Sequence, residues 1–134
     1  MSALTEDRNT PFVDAELLVL PVAAASEIFA GSLVVVDANG YAAPGSTATG
    51  LVAMGMAEVH IDNSAGGNGD ADVTVRRGKA FRFDNDGSIS QANVGRSAYI
   101  VDDQTVAATD GTGTRSLAGS IIYVDADGVW VYIG

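Results

Sequence analysis

Asp72-Val-Thr-Val-Arg-Arg-Gly-Lys-Ala-Phe-Arg-Phe83 is the stretch on which the fold assignment turns. Val73 and Val75 alternate with Thr74, and Phe81 and Phe83 alternate with Arg82, so each run carries one apolar face at the strand period. Gly78 sits between them, where a tight connection needs a positive φ, and the spacing predicts a hairpin. Four of the seven Lys and Arg residues, Arg76, Arg77, Lys79 and Arg82, fall in this stretch of a chain whose formal charge is −10. Two readings stand side by side. The plainer, favoured one is a set of cations decorating a turn and an edge strand, which discourages edge-to-edge aggregation. The other is a cationic spot that docks onto an acidic partner.

Outward from this stretch, short strand-like runs recur between Gly- and Asp-rich turns. Val36-Asp-Ala-Asn-Gly-Tyr41 and Val124-Asp-Ala-Asp-Gly-Val129 are nearly the same string, and Phe83-Asp-Asn-Asp-Gly-Ser88 is a looser copy. The spacing is irregular, so this is one hairpin solution reused and not a solenoid repeat. Hairpins are expected over Leu33–Ala43 and Leu117–Ile133, and a strand over Glu16–Val22 that lies at an edge or ends at Pro21. Leu51–Ile61 reads as one long strand, buried on both sides at its start, in which Gly55 marks a bulge or close approach. Ala23–Glu27 has the composition of a brief helical turn, and Ser90–Gly95 of a capped one. Asp62–Asp70 reads as an exposed, mobile loop. The expectation is an all-β fold, a small β-barrel or β-sandwich of short antiparallel strands. An extended N-terminal arm covers residues 1–14 and a single β domain covers residues 15–134.

Composition excludes several function classes. With 134 residues the chain can bury a core, and without Cys it has neither disulfides nor thiolate ligands. A pI near 4.1 argues against free nucleic acid and against anionic lipid as partners. The apolar region Leu17–Val36 is interrupted by Pro21, Ser26-Glu27 and Gly31-Ser32, short of the roughly 20 apolar residues of a span. The acidic residues before it are wrong for a secretion signal.

No catalytic motif emerges. His60 is the only histidine, so zinc lacks ligands and a Ser-His-Asp triad would depend on His60 alone, with no Gly-x-Ser-x-Gly turn. Asp84-Asn-Asp-Gly and Asp125-Ala-Asp-Gly resemble the opening of a calcium loop. From Asp84 the required downstream Gly and Glu positions hold Ile89 and Gly95, so these read as plain turns. Gly78-Lys79-Ala80 lacks the rest of a phosphate loop. Neither an enzyme nor a cofactor is expected. Trp130 and Tyr132, in the terminal strand, read as core or oligomer anchors; a buried Trp130 cut to Ala would cost about 3–5 kcal/mol.

Distributed segments resemble the tailed-bacteriophage capsid cement, or head decoration, proteins. They include Leu4-Thr-Glu-Asp-Arg-Asn-Thr-Pro11, Leu17-Leu-Val-Leu-Pro21, Ala30-Gly-Ser-Leu-Val-Val-Val-Asp-Ala-Asn-Gly-Tyr41 and Thr49-Gly-Leu-Val-Ala53. Val73–Phe83, Val94-Gly-Arg96, Tyr99–Ala107 and Val124–Trp130 continue the pattern along nearly the whole chain. The resemblance implies a virion structural protein, made in the bacterial cytoplasm, that binds the outer surface of an expanded capsid. Its partners would be the major capsid protein and further copies of itself, with a homotrimer favoured over a dimer. The residues assigned to capsid contact are Leu4, Thr5, Arg8, Asn9, Thr10 and Pro11 of the arm, with Arg76, Arg77, Lys79 and Arg82. The competing reading is a displayed host-surface or carbohydrate-binding β module, which needs an exposed aromatic platform.

Overall fold

A computed structural model describes residues 2–134; Met1, the first residue of the expected arm, lies outside the described residues. The fold is all-β; among the described residues there are twelve strands and a single 3₁₀ turn, Gln91–Asn93, that follows Ser90 as the sequence pattern expects. The first seven strands are β1 (Leu17–Pro21), β2 (Ser26–Ile28), β3 (Leu33–Val36), β4 (Ala42–Pro44), β5 (Val52–Ala57), β6 (Ile61–Asn63) and β7 (Asp72–Arg76). The other five are β8 (Lys79–Asn85), β9 (Ser97–Ile100), β10 (Thr105–Ala107), β11 (Leu117–Asp125) and β12 (Gly128–Ile133).

Two bodies are built from them. One is an antiparallel five-stranded sheet in the order β1-β7-β5-β3-β4, and the other is a closed barrel in the order β10-β8-β12-β11-β9. The barrel departs from the all-antiparallel expectation at one seam, where β10 runs parallel to β8. The sheet curls until Val22, just past β1, bridges to Ala42 at the start of β4. A β2–β6 ribbon lies beside it.

The apolar alternation of the Asp72–Phe83 stretch is as read, but its two runs are not a hairpin. Val73 and Val75 of β7 point into the core of the curled sheet, whereas Phe81 and Phe83 of β8 point into the barrel core. β7 pairs with β1 and β5, and β8 pairs with β12 and β10. Gly78, at φ +76, therefore marks a crossing from one body to the other. Both backbone donors of the crossing are used elsewhere: Arg77 N–H reaches the Glu16 carbonyl at 2.8 Å and Gly78 N–H reaches the Ile133 carbonyl at 2.6 Å. Alternation says that a strand has one wet face; it does not say which neighbour it takes.

The β3–β4 and β11–β12 hairpins, both expected from the sequence, are locked by their own carboxylates. Asp37 Oδ1 accepts from the N–H groups of Asn39 and Tyr41, and Asp125 Oδ1 from those of Asp127 and Gly128. Asp62, Asp86 and Asp102 hold the N–H two residues on in the same way. Much of the chain's aspartate content is thus turn chemistry. The Phe83–Ser88 copy caps a turn but closes no hairpin, because β8 continues through Asn85 and leads to the 3₁₀ turn.

Three further expectations are corrected. Ala23–Glu27 is no helical turn; it leads into β2, whose Glu27 pairs with Asp62 of β6. Leu51–Ile61 is two strands, β5 and β6, broken at Glu58–His60, and Val52 at the start is 57% exposed. Asp62–Asp70 is exposed over much of its length but firmly tied. Buried Asn63 donates from its amide to the carbonyls of Val22, Ala23 and Gly67, and Asn68 accepts from Ala24 N–H.

Pro21 lies on an edge strand, as its missing N–H requires. Gly55 lies beside a register shift between β3 and β5, and at φ +141 a methyl there would overlap the Arg76 carbonyl oxygen. Replacing Gly55 by Ala is expected to cost about 3 kcal/mol or more. Gly40→Ala, at a positive φ but facing open space, should cost only about 1 kcal/mol. Chemical denaturation of the two variants checks the difference; equal losses would refute the close-approach account.

Candidate functional site

Three surfaces collect the residues of functional interest. The first is the arm. Every residue from Ser2 to Leu17 is exposed, including Leu4, Thr5, Arg8, Asn9, Thr10 and Pro11. Leu4 is 72% exposed, Phe12 93% and Val13 86%, so the arm's large apolar side chains have next to no cover. The arm runs directly into β1, which pairs with β7 on one side and is an edge on the other. Leu17 and Val19 on that strand are likewise exposed.

The second surface is the basic stretch, where most of the cations meet carboxylates of their own chain. Arg76 Nε donates to Glu58, Lys79 Nζ lies 2.7 Å from Glu16, and Arg82 Nη1 lies 4.0 Å from Asp127. Among the described residues only Arg77 of the four has no carboxylate within ion-pair distance. The group also divides. Lys79, assisted by Arg76, acts on Glu16, whose carboxyl it holds below the ordinary range by hydrogen bond and by charge. Arg82 sits on the outer wall of the barrel. The cations thus tie the base of the arm to the β7–β8 crossing more than they offer free charge. Sequence reading missed this because the partner acids Glu16, Glu58 and Asp127 are scattered along the chain.

The third surface is a row across the outer barrel wall. Arg82, Trp130 and Tyr123 are register neighbours on β8, β12 and β11. The Tyr123 and Trp130 rings stack with centroids 5.2 Å apart, and the Arg82 guanidinium lies 5.9 Å over the Trp130 ring. Trp130 Nε1–H donates to Asp125 Oδ2 at 3.1 Å. That bond, with those from the Asp127 and Gly128 N–H groups, holds the Asp125 carboxyl below its usual range. Trp130 is therefore half-buried in a surface stack, and Tyr132 is 44% exposed. Neither is a core anchor, because the barrel interior is filled by the alternate residues Val129, Val131 and Ile133. Tyr132 instead lines a groove of about 520 Å³ with Val52, Leu117 and Ser97.

His60, with no assigned partner in the sequence reading, lies 2.8 Å from Glu27 and stacks on Phe29 at 4.9 Å. Among the described residues no group of three or more His, Asp or Glu is placed to hold a metal ion. No protein-family model, curated protein or solved structure matches this chain.

Trp130→Ala is expected to cost about 1–2 kcal/mol, below the loss for a fully buried aromatic, as measured by chemical denaturation. In Trp130→Phe the indole donor is gone, and the Asp125 carboxyl should titrate closer to the ordinary range. Asp125 has a depressed folded-state pKa, so its contribution to stability is present above about pH 4 and lost as pH falls through the folded value. Carboxyl-carbon NMR titration of Asp125 reads the change directly; an unmoved curve would mean that Trp130 does not set it.

Proposed function

We propose that this protein is a capsid cement: it binds the outer surface of an assembled, expanded phage shell and reinforces it as a symmetric oligomer, with a trimer favoured. The observation that carries the reading is the arm. A string of exposed residues with bare Leu4, Phe12 and Val13, leading into an edge strand, is poised to be covered by another chain. The distributed resemblance along the chain supplies the class of partner, the major capsid protein. Each copy contributes a modest contact, and an oligomer presents several at once, so avidity multiplies them. Leu4, Thr5, Arg8, Asn9, Thr10 and Pro11 are the arm contacts of this reading. Of the basic residues, Arg77 is the one best placed for the shell, since Arg76, Lys79 and Arg82 already serve carboxylates of their own chain. Carbohydrate binding draws less support, because the faces of Trp130 are taken by Tyr123 and Arg82.

Deleting residues 2–11 should change the unfolding free energy by less than about 0.5 kcal/mol while weakening co-sedimentation with expanded shells. Intact binding after the deletion would remove the arm from the contact. Failure of the full chain to bind expanded or unexpanded shells would remove the capsid role.

A further inference from the structure

The groove of about 520 Å³ is walled by the start of β5, the start of β11 and the end of β12. Val52, Leu117 and Tyr132 line it, and all three are exposed. None of its lining side chains carries a charge, although the chain has 17 Asp and Glu residues. The arm holds a second bare apolar feature, Phe12-Val13. It belongs to the uncharged run Asn9–Val13, set between Arg8 and Asp14.

The two features are neighbours. Arg77 N–H holds the Glu16 carbonyl, Gly78 N–H holds the Ile133 carbonyl, and Ile133 is a groove residue. The base of the arm is thus pinned beside the end of the groove. Phe12 stands four residues before Glu16, a span of at most roughly 14 Å. Even so, the arm does not fold back: Phe12 and Val13 stay bare, and the groove beside them stays open.

We propose that Phe12 and Val13 of one copy seat in this groove of a second copy, so that copies are joined by exchanged arms. Charge selects the occupant. Two copies at −10 each repel over most of their surface and meet at least cost where carboxylates are absent, which holds for the groove and for Asn9–Val13 alike. Composition agrees, since interface centres are poor in charge and rich in Phe and Tyr. A foreign apolar ligand in the groove would leave Phe12 and Val13 bare, whereas the exchange covers both features at once. Pro11 restricts the backbone just before Phe12, which lowers the ordering cost of docking. The inference rests on the oligomer half of the proposed function and is independent of the shell.

The chain has no Cys, so a disulfide between introduced cysteines reports contact cleanly. Phe12→Cys and Leu117→Cys are made separately in the full chain, mixed and oxidised. A covalent heterodimer is expected, in far higher yield than when Asn39→Cys, on the exposed β3–β4 turn, replaces Leu117→Cys. In the double variant Phe12→Cys/Leu117→Cys the bond should join two chains. A bond closed within one chain, or equal yields with the Asn39→Cys control, would overturn the exchange.

Sedimentation velocity over a concentration series supplies the energetics. Phe12→Ser with Val13→Ser should weaken self-association by about 10- to 100-fold per arm, the burial of one large apolar side chain expressed as a ratio. Leu117→Asp should weaken it comparably by placing a charge in the groove. Phe12, Val13 and Leu117 lie outside both cores, so these variants should fold, which circular dichroism checks. Mixed together, the two variants should pair again, one bringing an intact groove and the other an intact arm. An oligomer indifferent to Phe12 and Val13, or no recovery on mixing, would overturn the exchange. Deleting residues 2–11 should leave self-association standing while shell binding falls. A monomer that binds expanded shells would overturn the exchange and leave the cement reading; an arm-exchanged oligomer that binds neither expanded nor unexpanded shells would do the reverse.

Discussion

Leu33, Val34 and Val35 are all fully buried, and they face two different interiors. Leu33 and Val35 complete the barrel core with Phe81, Phe83, Ile100 and Val131, while Val34 joins Val22, Ile28, Val73 and Val75 inside the curled sheet. β3 is thus a shared wall. An unbroken apolar run is what a strand buried on both faces must have, in contrast to the alternating runs of β7 and β8, each with one wet face. Because one strand closes both cores with alternate residues, neither body is sealed without the other. A one-residue slip of β3 would exchange its side chains between the two interiors and spoil both.

The placement of the three surfaces follows from that wall. It brings the β2–β3 turn against the β9–β10 turn, where Leu33 N–H donates to the Asp103 carbonyl. It also obliges the chain to cross between bodies at Arg77-Gly78, where the base of the arm and the end of β12 are hydrogen-bonded to the crossing. The arm itself takes no share in either core, so its bare side chains can be given to another molecule at no expense to the fold.

What was legible in the sequence was local. Asp-Ala-Asn-Gly and Asp-Ala-Asp-Gly carry their own turn geometry, so the hairpins at 33–44 and 117–133 could be read from a few residues each. Pro21 marked an edge, and Gly55 a close approach, for equally local reasons. What was not legible depends on partners far along the chain. Val73–Phe83 has the same alternation whether its halves pair with each other or with different bodies. The Leu51–Ile61 alternation runs on through the Glu58–His60 break because periodicity carries no record of where a ladder ends. Arg76, Lys79 and Arg82 looked like free charge because the acids that meet them lie in other elements.

The anchoring of β1 has a mechanical consequence. The arm runs directly into β1, and the β1–β7 ladder from Leu17–Arg76 to Pro21–Asp72 runs antiparallel. Its hydrogen bonds stand perpendicular to the strand axis, so tension along that axis loads them in shear, all together, instead of peeling them one at a time. The Glu16 carbonyl held by Arg77 and the Glu16–Lys79 pair stand ahead of the ladder and take the first strain. A tether built this way gives way all at once and not bond by bond.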